Sequence, residues 1–114
     1  MMKKRRRVVV TGAGVISELG DSPAQVHSAL LGKGWDAVDE ARGSSDGREA
    51  GEGSLSDFDA LRYLGEGNLH PLDRPARLAS AAVALAIEAS GLTDEEIAER
   101  EAGLVLGTMF GGLR

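Results

Sequence analysis

Residues of two kinds in this sequence could do chemistry: a glycine turn and a pair of histidines. The turn is Thr11-Gly12-Ala13-Gly14, placed directly after the apolar run Val8-Val9-Val10. Glycines in that position permit a tight turn and close approach of the backbone to a pyrophosphate, so a dinucleotide site is the first chemistry to test. The spacing fails the test. The fingerprint requires a third glycine where the chain has Ser17, and the alternative short-chain dehydrogenase spacing requires one where it has Ile16. A Gly-x-Gly alone is weak. The histidines, His27 and His70, are the only two, and neither stands in an ordered set with serine and aspartate or at metal-ligand spacing. Surface or structural roles account for both. The acidic run Asp94-Glu95-Glu96 is explained by favourable charge on the first turn of a helix. Cysteine is absent, which removes disulfides, thiolate metal sites and a thiol nucleophile. No catalytic residue, cofactor site or metal site is therefore assigned.

Charge and composition narrow the classes further. The net charge of −5 argues against a nucleic-acid partner. The basic tract Lys3-Lys4-Arg5-Arg6-Arg7 is the exception, and it has no aromatic platform beside it. It reads as the solvated start of a strand, with a nuclear-localisation or polyanion-binding tract as the lesser alternative. No apolar stretch approaches the ~20 residues of a membrane span, and no secretory leader is visible. A cytoplasmic protein with no membrane partner is expected. The chain has 114 residues, the size of one domain, but aromatics are only 4% and there are 16 glycines. Small side chains bury little area, and glycine raises the entropic cost of ordering the backbone.

The elements that must hold these residues follow from local signals. Val8-Val9-Val10 predicts a strand covered on both faces. Ser22, Pro23 and Gln25 predict a helix with a capping box, carrying Val26, Ala29 and Leu30 on one stripe and stopped by Gly32. Residues 39–56 are rich in Gly, Ser and acidic side chains and predict a surface loop. Residues 58–72 carry scattered apolar side chains among glycines and predict irregular structure. Asp73 and Pro75 start a second helix over 76–89, ended by Gly91. Leu78, Ala79, Ala81, Ala82, Val83, Leu85, Ala86 and Ile87 make it apolar almost all round, the pattern of a helix buried in a larger body. Two strands cannot cover such a helix, so the chain is expected to be incomplete. Thr93 and Glu96 predict another capping box and a short helix to about Arg100. Gly103-Leu104-Val105-Leu106-Gly107 predicts a second buried strand, parallel to the first through a right-handed crossover. The predicted class is α/β: strand, helix, loop, buried helix, strand.

Taken in order, these segments resemble the β-ketoacyl synthases. Arg6 to Ser17 followed by Leu19-Gly20 is similar to that family's first core strand and turn, where no nucleotide binds. Leu30-Leu31-Gly32-Lys33-Gly34 resembles the end of its first helix. Asp57-Phe58-Asp59 with Arg62-Tyr63-Leu64-Gly65 resembles a loop segment. Leu72-Asp73-Arg74 through Ala89-Ser90-Gly91-Leu92 resembles the buried helix, and residues 103–112 resemble the second strand with its glycine loop. Glu18 departs from a frequent proline, and the 39–56 loop is unusually rich in glycine and acid.

The resemblance implies the incomplete N-terminal part of a thiolase-like fold. It also implies an acyltransferase that condenses acyl and malonyl thioesters on acyl carrier protein, in fatty acid or polyketide synthesis, generally as a homodimer. The family's cysteine nucleophile and two histidines lie beyond the matched region, so this chain alone is expected to be inactive. One side chain carries over: Phe110 matches the position that closes the acyl pocket, where a filled pocket cannot admit extra methylenes without strain. Ordinary core packing is the equal alternative for Phe110. Gly111 and Gly112 would let the backbone turn close to the active site. Two rivals stay open, a catalytically silent chain-length-factor subunit and a small Rossmann-like nucleotide binder.

Overall fold

The structure, a computed structural model, describes residues 5–33, 55 and 58–109. Its elements are α1 (Pro23–Lys33), α2 (Ala60–Leu64), α3 (Arg74–Ser90) and α4 (Asp94–Ala98). Apart from Leu55, the 39–56 loop lies outside the described residues, and so do Phe110, Gly111 and Gly112.

The helix ends follow the local signals closely. At α3, Asp73 Oδ1 accepts from the Ala76 N–H at 2.9 Å, with Pro75 in the first turn. Gly91 closes the helix in the left-handed region, φ 70° and ψ 10°, a conformation that favours glycine. Its N–H donates to the Glu88 carbonyl at 3.1 Å. At α4, the Thr93–Glu96 capping box is complete: Thr93 Oγ1 accepts from the Glu96 N–H at 3.2 Å, and Glu96 Oε2 accepts from the Thr93 N–H at 2.9 Å. At α1, Ser22 Oγ accepts from the Gln25 N–H at 3.2 Å. The return bond is displaced by one residue, because Gln25 Oε1 accepts from the Asp21 N–H. Val26 and Ala29 are half-buried while Leu30 is exposed, so the expected stripe is narrower than its spacing suggested. Gly32 lies within the last turn of α1 and does not end it.

Three expectations are corrected. No strand forms among the described residues, so the parallel pair is not present there; a single antiparallel bridge joins Ser17 and Gly20. Val9 is 73% exposed and Val105 99%. Strand propensity is largely packing against ladder and face neighbours, and neither run is paired in a ladder among the described residues. Second, 58–72 is not wholly irregular. Asp59 Oδ1 accepts from the Leu61 N–H at 3.0 Å and starts α2, and Gly65, at φ 69°, ends it. Third, α3 is half-buried along most of its length, and only Ala81 is fully enclosed. The described chain covers it on two sides, by α2 and by the glycine turn, and leaves Glu88 and Ala89 exposed.

Candidate functional site

The glycine turn, first suspected of holding a pyrophosphate, holds a helix. A Cβ built on Gly12 would stand 2.6 Å from the Ser90 nitrogen and nearer still to the Ala86 carbonyl oxygen. One built on Gly14 would stand 2.6 Å from the Ala86 nitrogen, and nearer to the Ala82 carbonyl oxygen. Ala82, Ala86 and Ser90 recur at four-residue spacing on one face of α3, and their small side chains let the two backbones meet. The space beside each glycine is therefore filled by main-chain atoms of α3. Gly20 has a different reason to be glycine, with φ 144° and Gln25 against its open face.

Arg77 ties the segment before α3 onto the helix. Its Nε donates to the Leu72 carbonyl at 2.9 Å and its Nη2 to the Leu69 carbonyl at 3.0 Å. One turn earlier, Arg74 lies over the Phe58 ring at 5.9 Å and donates to the Leu55 carbonyl. Phe58 in turn stacks on Tyr63, with centroids 5.8 Å apart.

Tyr63 reaches across to the entry of α1. Its hydroxyl donates to Asp21 Oδ2 at 3.0 Å, and Arg62 Nη2 stands 3.5 Å from the same oxygen. Ser17, Asp21, Gln25, Phe58, Arg62 and Tyr63 line an open depression of about 410 Å³. Burial raises the Tyr63 phenol above its ordinary pKa, and the hydrogen bond and negative charge of Asp21 push the same way against Arg62. A raised phenol pKa means that the folded state favours the neutral hydroxyl. Its contribution to stability is complete below about pH 10 and is lost as pH rises through the folded pKa. Tyr63 is the only tyrosine, so tyrosinate absorbance reports it alone. We expect a midpoint above that of the unfolded chain, moved down by Asp21→Asn; a midpoint unchanged by that substitution would contradict the contact.

The sequence-predicted site residues are placed as follows. Phe110, Gly111 and Gly112 lie outside the described residues. The segment leading to them is described: Leu106, Gly107 and Thr108 face Asp73, Pro75 and Ala76 at the start of α3 across a hollow of about 280 Å³. His27 is exposed on α1, and His70 is exposed in a turn, its N–H donating to Asn68 Oδ1 at 3.3 Å. Neither lines these hollows. No group of three metal-ligating side chains is gathered among the described residues, and no described helix is long and apolar enough to cross a membrane. Sequence reasoning missed the Tyr63–Asp21–Arg62 cluster, whose hydrogen-bonded members are 42 positions apart, and no local signal could have joined them. It also assigned no role to Arg77.

The class these features define is a packing scaffold: an alanine-rich helix seated on a glycine turn, tied to its flanking segment by an arginine, and lacking a thiol. Comparison with known proteins gives the scaffold its family. The family described as "Beta-ketoacyl synthase, N-terminal domain" matches residues 5–113, and the chain belongs to it. That membership implies a thiolase-like α/β fold. The chain is 33% identical over 119 aligned residues to 3-oxoacyl-[acyl-carrier-protein] synthase 2 of Synechocystis sp., covering 97% of this chain and 27% of that protein. It is 30% identical to the proteins of the same name in Vibrio harveyi, covering 96% and 26%, and Vibrio cholerae serotype O1, covering 96% and 27%. The chain thus spans about a quarter of the length of these relatives. No solved structure matches it significantly.

Proposed function

We propose that this chain is the N-terminal part of an acyltransferase that condenses acyl and malonyl thioesters carried on acyl carrier protein, in fatty acid or polyketide synthesis. The observation that carries the proposal is the family match over residues 5–113, nearly the whole chain. The relatives named 3-oxoacyl-[acyl-carrier-protein] synthase 2 support the same chemistry. Such a condensation needs a nucleophile to hold the acyl group and donors to stabilise the oxyanion formed when the new carbon–carbon bond closes. The family's cysteine and two histidines fill those roles. This chain has no cysteine, and its histidines are placed for neither.

Its part is positional. Gly12 and Gly14 seat α3, and the first turn of α3 flanks the segment that runs on to Phe110. By resemblance, Phe110 edges the acyl pocket and Gly111 and Gly112 turn the backbone beside it. A homodimer with acyl carrier protein as its partner, in the cytoplasm, completes the proposal. The reading frame beyond Arg114 tests it: a cysteine at the start of a buried helix, followed by two histidines, is the expected result. Another residue at the nucleophile position would point instead to the silent chain-length-factor subunit.

A Rossmann-like nucleotide binder fits the geometry less well, because α3 already occupies the space beside Gly12 and Gly14. Titration with NAD(P) or ATP, followed by calorimetry, is expected to show no binding. Saturable binding abolished by Gly14→Ala would favour the nucleotide reading.

A further inference from the structure

We draw no further inference here: the strongest candidate, the exposed apolar surface at segments 8–10 and 104–106, carries none because nothing in the structure shows what covers it.

Discussion

Replacing Gly14 with alanine is expected to destabilise the protein by about 3 kcal/mol, the upper end of the usual range for an overpacked site. The added methyl would enter space held by the Ala82 carbonyl oxygen and the Ala86 nitrogen. Both are main-chain atoms of a 17-residue helix. A flexible side chain could swing aside, but a helix backbone must move as a body, and α3 also carries the contacts to α2. Gly12→Ala meets the same helix one turn on and should lower stability by about 2 kcal/mol. Gly32→Ala is the control. That glycine lies in the last turn of α1 with no atom within 4 Å of a built Cβ. Alanine there should stabilise by roughly 0.5–1 kcal/mol through helix propensity. Urea midpoints of the three variants decide the matter. A Gly14→Ala protein as stable as its parent would mean that α3 does not sit against the turn.

Arg77→Met should lower stability by about 3 kcal/mol, since two part-buried hydrogen bonds from a charged group contribute roughly 1.5 kcal/mol each at the low end of their range, and the methionine keeps part of the packing. The guanidinium spans two carbonyls, those of Leu69 and Leu72, on two different nitrogens. An ammonium offers one point charge where the fork offers fixed, divergent donors. Arg77→Lys should therefore recover less than half of the loss. Hydrogen exchange separates this local clamp from a general effect. The Leu72 N–H donates to the Leu69 carbonyl at 3.1 Å, and it should exchange faster in Arg77→Met while amides in the middle of α3 change less. Equal acceleration throughout α3 would contradict the clamp.

What could be read from the sequence divides by the range of the interaction. Asp73 with Gly91, and Thr93 with Glu96, are contacts within a few residues, and their patterns specify both partners at once. Asp59 and Gly65 were equally local, but the helix between them is only five residues long and has no apolar period to reveal it. The valine run at 8–10 and the apolar run at 104–106 have strand-forming composition. A ladder also needs a neighbour, which composition cannot supply. Asp21, just before α1, and Tyr63, in α2, meet only once the chain has folded, and neither residue announces the other.

The candidate site shows the same limit. Phe110, Gly111 and Gly112 came from resemblance and lie outside the described residues. The glycine turn is the instructive case. Gly12 and Gly14 state plainly that something approaches the backbone closely. Nothing in the turn itself says whether that is a phosphate or a helix. The complementary signal lay about 70 residues further along the chain, in the four-residue spacing of Ala82, Ala86 and Ser90.

The most direct measurement of the proposed role is carbon–carbon condensation from acyl and malonyl thioesters on acyl carrier protein, with release of carbon dioxide. It should be run in parallel on the 114-residue chain and on the product of the full reading frame. The account predicts 3-oxoacyl product from the full protein and none from the chain alone. Turnover by the 114-residue chain, or none by a full protein that carries the cysteine and both histidines, would contradict it.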